Sequence, residues 1–306
     1  MKHFIALRDY SQQELQLILE QAFLLKSQQK QKTRHRLLEG KTLAMIFEKS
    51  STRTRVSFET GIFQLGGVGL FLSSQDLQMG RGEPIKDTAV VLSRYVDGIM
   101  IRTFAHETVE ELAMHSSVPV INGLSDLLHP CQIMADVMTM MEHSPKPINE
   151  IEVAYVGDGN NVANSLVYGA ASLGYHVRIA TPPGYEIPER IAEHARQIAT
   201  STNARITFTH DPAEAVQGCD FVYTDTWASM GQEEEKQQRL DDFRGFTVDE
   251  KLMSLGSPDC KFLHCLPAYR DMEVSADVCD GPRSIIYDQA ENRLHAQKAI
   301  MAYLMT

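Results

Sequence analysis

The chain has 306 residues, of which 43% are hydrophobic, enough for about two domains with full cores, while no apolar run approaches the roughly 20 residues that cross a bilayer. A formal net charge of −11 disfavours nucleic acid as the main partner, because gripping a phosphate backbone takes a basic footprint; any anionic substrate must meet a local basic cluster instead. Five cysteines, an odd number with no Cys-x-x-Cys pair, make neither a disulfide framework nor a zinc knuckle, and Met1 to Asp9 meets charge too soon for a signal-peptide core, so reduced thiols and a cytoplasmic location are expected.

Short apolar or β-branched runs alternate with helical patterns almost throughout. Strands are predicted at Thr42 to Phe47, Val68 to Leu72, Gly98 to Ile101 and Pro119 to Ile121, and again at Ile151 to Val156, His176 to Ala180, Arg205 to Phe208, Phe221 to Thr224, Phe262 to His264 and Ile285 to Tyr287. Such alternation predicts an α/β fold with mainly parallel sheets flanked by helices. Ser144-Pro145-Lys146-Pro147 follows a helical pattern that begins near Pro130 and marks a boundary. The domains expected are therefore residues 1–143, joined by a terminal helix within 290–306, and residues 144–289.

The first segment that carries chemistry is Ser50-Ser51-Thr52-Arg53-Thr54-Arg55, between the strand ending at Phe47 and the amphipathic stretch Val56 to Leu65. Helix-opening N–H groups have no intrahelical partner and sit at the positive end of the macrodipole, so an oxyanion placed there satisfies both. With three hydroxyls and two guanidiniums around it the turn reads as a phosphate cradle lacking a Walker lysine or glycine loop; the plain alternative is an N-cap with exposed arginines. Arg102 ends the strand Gly98 to Ile101. His129-Pro130-x-Gln132 opens the next helical pattern, and at the carboxyl end of a sheet its imidazole and amide can point at one ligand, although a lone histidine there is more often a cap or core residue.

Gly157-Asp158-Gly159-Asn160-Asn161 follows a strand and invites a dinucleotide reading, which fails: Val162 stands at the third glycine position, and Ala180-Thr181-Pro182 offers no acidic residue after the next strand. A donor-rich turn with Asn161 could instead receive a small carboxylate. Asp225-Thr226-Trp227-Ala228-Ser229-Met230-Gly231 comes directly after another strand, where an aspartate holds an ammonium group or merely forms a turn. His264-Cys265-Leu266-Pro267 places a thiol at the same kind of position. No histidine pair at metal-ligand spacing accompanies it, so neither zinc nor a Cys-His nucleophile is supported.

Taken together, Ser51-Thr52-Arg53-Thr54-Arg55 and His129-Pro130-x-Gln132 resemble the segments shared by the aspartate/ornithine carbamoyltransferase family, and Asp225-x-Trp227-x-Ser229-Met230-Gly231 with His264-Cys265-Leu266-Pro267 resembles its ornithine-specific members; the likeness runs over essentially the whole chain. It implies two α/β domains hinged over a central cleft, a homotrimer, and no metal or organic cofactor. It further implies that carbamoyl phosphate is held by Ser51, Thr52, Arg53 and Thr54, with Arg102, His129 and Gln132 around the carbamoyl end, Gln78 reaching a neighbouring subunit's site, and Arg293 completing the site from the terminal helix. Ornithine falls to Asn161, Asp225, Ser229 and Met230, with Cys265 and Leu266 lining the meeting point of amine and carbamoyl carbon. Arg102, His129, Asp225 and Cys265 are the residues implied in catalysis. The activity implied is carbamoyl transfer to the δ-amine of ornithine, with Gly80-Arg81-Gly82-Glu83-Pro84 leaning toward arginine biosynthesis. A transferase for putrescine or acylated ornithine, a catalytically silent relative and a nucleotide-binding oxidoreductase are the rival readings.

Overall fold

A computed structural model describes residues 1–73, 77, 79, 82–227 and 236–306, and the chain divides into two compact units, Met1–Met138 with Glu291–Thr306, and Thr139–Ala290. The first unit contains α1 (Gln12–Lys30), β1 (Thr42–Phe47), α2 (Thr52–Gln64), β2 (Val68–Ser73), α3 (Ile85–Leu92), β3 (Gly98–Arg102), α4 (His106–His115), β4 (Val120–Leu124) and most of α5 (Pro130–His143). Its four strands are all parallel, in the order β2-β1-β3-β4. From Leu43 to Phe47 in β1 and throughout β3 and β4 every residue is buried, whereas β2 at the edge is largely exposed. Strands covered on both faces need apolar residues at every position, which is why Leu43 to Phe47 and Ile99 to Ile101 show no alternation. Between β3 and β4 the register slips, Ile101 facing Asn122 and Arg102 facing Leu124. The bypassed Gly123 is closely packed: a Cβ there would lie 2.7 Å from Met100 Sδ, so the methionine would have to move. Irregularities of this kind re-aim the residue beside them, here Arg102.

The second unit runs through β5 (Glu152–Val156), α6 (Asn161–Leu173), β6 (His176–Ala180), α7 (Glu189–Thr202), β7 (Ile206–Thr209), α8 (Pro212–Val216), β8 (Phe221–Thr224), α9 (Lys236–Asp242), α10 (Glu250–Met253), β9 (Lys261–His264) and α11 (Ala276–Cys279). Its five strands are also all parallel, ordered β7-β6-β5-β8-β9. α6 is buried from Val162 to Leu173 and stops at Gly174, whose φ of +97° is the left-handed C-cap that favours glycine. Ala154, Val156, Val222 and Phe262 pack with Phe243, Val248 and Val274 in the core of this unit.

The chain closes with α12 (Ile286–Met305), whose residues from Glu291 onward belong to the first unit. Here the structure corrects the strand expected at Ile285 to Tyr287. Ser284 makes one parallel bridge with Phe262, Ile285 N–H donates to the Phe262 carbonyl, and the helix then starts at Ile286. Three β-favouring residues in a row do not outweigh the apolar face that continues through Ala296, Ile300 and Met301, all buried. α2 likewise begins earlier than Val56, so Thr52 to Arg55 form its first turn. Among the described residues no helix is long and apolar enough to cross a membrane.

Candidate active site

Each sheet has one place where the strand order reverses. β2 lies to one side of β1 and β3 to the other; likewise β6 lies to one side of β5 and β8 to the other. Connections leaving such a pair diverge and open a crevice beyond the carboxyl ends of the strands, the usual ligand position in open α/β sheets. Ser51 after β1 and Arg102 at the end of β3 sit at the first of these points, and Asn161 after β5 and Asp225 after β8 at the second.

At the first, Ser51 is the N-cap of α2, its hydroxyl accepting from Thr54 N–H at 3.2 Å. Thr54 Oγ1 is the centre of the group: Arg102 Nη1 and Arg293 Nη2 each donate to it at 3.3 Å, and Ser51 Oγ donates at 3.1 Å. Two guanidiniums and a hydroxyl thus converge on one buried hydroxyl oxygen. Arg102 Nε donates to the Lys49 carbonyl at 3.1 Å, tying the end of β3 to the turn after β1. Arg293 Nη1 donates to Gln132 Oε1 at 2.6 Å and Gln132 Nε2 to Asp136 at 2.8 Å, which joins α12 to the start of α5. His129 is buried, and its pKa lies well below the ordinary value, first because of burial and then because of the nearby cations Arg293, Arg102, Arg53 and Lys49. At neutral pH it is a neutral imidazole. The local basic cluster that an acidic chain needs for an anion is here, with Asp126 on Lys49 at 3.1 Å as a counter-charge.

At the second, Asp225 follows β8 and is buried. Its Oδ2 accepts from Asn160 Nδ2 at 2.9 Å, and its Oδ1 from Thr226 N–H at 2.8 Å and Cys265 Sγ at 3.0 Å. Asn160 also caps α6, its Oδ1 accepting from Val162 and Ala163 N–H. Glycine is required at 159, where a Cβ would come within 2.5 Å of the Tyr185 carbonyl. Asp158 of the same turn pairs with Arg239 Nη1 at 2.9 Å, and that Nη1 also donates to the Trp227 carbonyl at 2.7 Å. A carboxylate, an amide and a half-buried thiol therefore share one spot.

Asp225, His264 and Cys265 offer ligand atoms within 4.8 Å of one another, as a metal site would. The histidine is committed elsewhere: its Nδ1 accepts from Leu266 N–H at 2.8 Å and its Nε2 faces Glu273 at 3.2 Å. A metal here would have to displace one of these bonds, so the donor set does not fit one.

The structure thus brings Ser51, Thr54, Arg102, Gln132 and Arg293 into one bonded group with Thr52, Arg53 and His129 on or beside it, and Asp225 with Cys265 into another; Leu266 adjoins Cys265 and Asn161 opens α6. Gln78, Ser229 and Met230 lie outside the described residues. Lys49, Asn160, Arg239 and Glu273 were not singled out from sequence. Only Asn160, beside Asn161 in a helix-opening turn, carried a local signal, that of an N-cap.

Family models match the chain twice: the carbamoyl-P binding domain of aspartate/ornithine carbamoyltransferase over residues 2–142, and its Asp/Orn binding domain over residues 149–304. The chain belongs to the aspartate/ornithine carbamoyltransferase family. Among relatives, it is 58% identical to ornithine carbamoyltransferase of Wolinella succinogenes over 304 residues, covering 99% of this chain and 98% of that one. Among solved structures, ornithine carbamoyltransferase from Pyrococcus furiosus superposes with a TM-score of 0.96 at 53% identity, covering 99% of this chain and 97% of that one. The anabolic enzyme from Campylobacter jejuni gives 0.94 at 46% identity, covering 99% of both chains. Of the residues around Thr54, Ser51, Arg102 and Gln132 lie in the part matched by the carbamoyl-P model, whereas Arg293, like Asp225 and Cys265, lies in the part matched by the Asp/Orn model.

Proposed function

We propose that this chain transfers the carbamoyl group of carbamoyl phosphate to the δ-amine of L-ornithine, giving L-citrulline and phosphate, in arginine biosynthesis. The observation that supports the donor most directly is the convergence of the Arg102 and Arg293 guanidiniums on Thr54 in the first turn of α2, because a phosphorylated ligand is met by planar cationic forks and helix-opening N–H groups. Ser51, Thr52, Arg53 and Thr54 hold the phosphate at the start of α2; Arg102, His129 and Gln132 surround the carbamoyl end, Arg293 braces Gln132 and Thr54, and Gln78 comes from a neighbouring subunit. Asn161, Asp225, Ser229 and Met230 receive ornithine, and Cys265 and Leu266 line the place of reaction. No metal or organic cofactor takes part in the proposed step.

The δ-amine, with a reference pKa of about 10.4, costs on the order of 4 to 5 kcal/mol to deprotonate at pH 7, and Asp225 with Cys265 orients the freed amine rather than attacking. Its lone pair forms the new C–N bond; negative charge passes to the carbonyl oxygen, where Thr54, Arg102 and neutral His129 donate to it. The C–O bond to phosphate then breaks, Arg53, Arg102 and the helix terminus stabilise the dianion, and the phosphate takes the amine proton. Holding both substrates supplies much of the acceleration, since effective molarities reach ~10⁵ M or more.

The same proposal places the chain in the cytoplasm as a homotrimer. Free thiols at all five cysteines, four of them buried, support the first, and exposed apolar side chains on α2 and β2 support the second. The deciding experiment is product formation from carbamoyl phosphate with ornithine, putrescine, aspartate and acetylornithine side by side: citrulline from ornithine alone is expected, and carbamoyl-putrescine as the main product would refute the assignment.

A further inference from the structure

Leu266 is one of few non-glycine residues among those described with a left-handed backbone, at φ +60°, a conformation that side chains of L configuration rarely adopt. Something must hold it there. Its N–H donates to His264 Nδ1 at 2.8 Å, the bond from residue i to the amide of i+2 that asparagine and aspartate make in Asx turns. An imidazole can do this only if Nδ1 carries no proton, which puts the ring proton on Nε2. Nε2 faces Glu273 Oε1 at 3.2 Å, and the same oxygen accepts from Tyr269 N–H at 2.6 Å. Both side chains are fully buried. Between His264 and Leu266 stands Cys265, whose thiol donates to Asp225 at 3.0 Å.

We propose that His264 and Glu273 are positioning residues: the Glu273 carboxylate fixes the imidazole tautomer, the tautomer holds the Leu266 amide, and the turn so held lays the Cys265 thiol on Asp225. The consequence for catalysis rests on the carbamoyl transfer proposed above; the geometry of the thiol does not.

The test uses atomic mimicry. In His264→Asn the amide oxygen takes the place of Nδ1 and keeps the turn; in His264→Gln the amide takes the place of Nε2 and loses it, although glutamine is nearer histidine in size. Cys265 is the one cysteine of the five that is not buried, so its alkylation by a water-soluble maleimide, with Cys265→Ala as blank, reports the turn directly. His264→Gln is expected to label faster than wild type by about fivefold or more, the effect of losing one bond that holds the turn, and to lose kcat/KM for ornithine by a similar factor, while His264→Asn stays within about twofold. Glu273 gives a second pair should His264→Gln not fold: Glu273→Gln keeps the acceptor and labels like wild type, and Glu273→Ala labels faster. Equal labelling within both pairs overturns the proposal. If labelling separates the variants but wild-type protein makes no citrulline, the turn is as described and the transfer reaction is what fails.

Discussion

Thr54 Oγ1 gathers two guanidiniums and a hydroxyl onto one buried oxygen, and a site so rich in donors depends on the shape of its cations as well as their charge. Arg53→Lys keeps the charge and removes the planar fork that matches two phosphate oxygens. Loss of one charge-assisted bond predicts a fall in kcat/KM for carbamoyl phosphate of about 10- to 100-fold, read by steady-state kinetics; near-normal turnover would remove Arg53 from the phosphate site. Cys265→Ala tests the other group. It removes a donor from Asp225 and should lower kcat/KM for ornithine by about tenfold while calorimetry finds carbamoyl phosphate binding intact; loss of that binding would mean the thiol serves the donor instead. Arg53 and Cys265 could be singled out because each lies in a short local pattern beyond a strand end, although for Cys265 that pattern alone fits an inert buried thiol equally, and its role comes from the family resemblance. Contacts between distant parts of the chain could not be singled out this way: Arg293 meets Gln132 across 161 residues, and Arg239 and Glu273 belong to no local pattern at all. Such pairings are set by topology, which spacing along the chain does not encode.

Among the elements, the strand positions were readable except where a β-favouring pair opened α12, and the helices carry two consequences of their own. Arg239 on α9 holds both the Trp227 carbonyl after β8 and Asp158 after β5, so one guanidinium braces the two turns that carry Asp225 and Asn161. Its ion pair is largely out of water, and removing one partner strands the other charge. Arg239→Met should therefore cost about 3–5 kcal/mol of stability and raise KM for ornithine, whereas adding Asp158→Asn should recover part of the loss in a double-mutant cycle followed by urea unfolding; simple additivity would deny the bracing role. On α12, burial first and then Lys298, Lys26 and other cations lower the His295 pKa to about 3. Unfolded, this histidine takes a proton near pH 6.5, while folded it refuses one until about pH 3, so the unfolded chain binds more protons in that window. Stability from this group is whole above pH 6.5 and falls by on the order of 1.4 kcal/mol per pH unit well below it. His129 pulls in the same direction. Thermal melts between pH 7 and pH 5 should show the midpoint dropping with acid, with a shallower slope in His295→Gln; an unchanged slope would mean that His295 titrates normally in the fold.

For the whole molecule, the question is what covers the exposed apolar side chains of α2 and β2. Phe63 is 76% exposed on α2 and Val68 57% exposed on β2, with Val56, Leu70 and Phe71 beside them in sequence on the same two elements, and the guanidinium of Arg55 lies 3.8 Å over the Phe71 ring. β2 is also an edge strand, with backbone groups that proteins seldom leave open. Large apolar side chains exposed together mark an interaction surface, and the proposed homotrimer gives them a partner in another copy of this chain. Sedimentation velocity should accordingly find a species three times the 34.3 kDa chain. Phe63→Glu combined with Val68→Lys sets charges into that surface, neither of them in the proposed substrate contacts, and should shift the species toward monomer. Because the proposed site borrows Gln78 from a neighbour, citrulline formation per chain should fall in step with the trimer fraction as the variant is diluted. A monomer that kept full activity would show that each chain completes its own site, and would remove both the shared residue and the reason for the assembly.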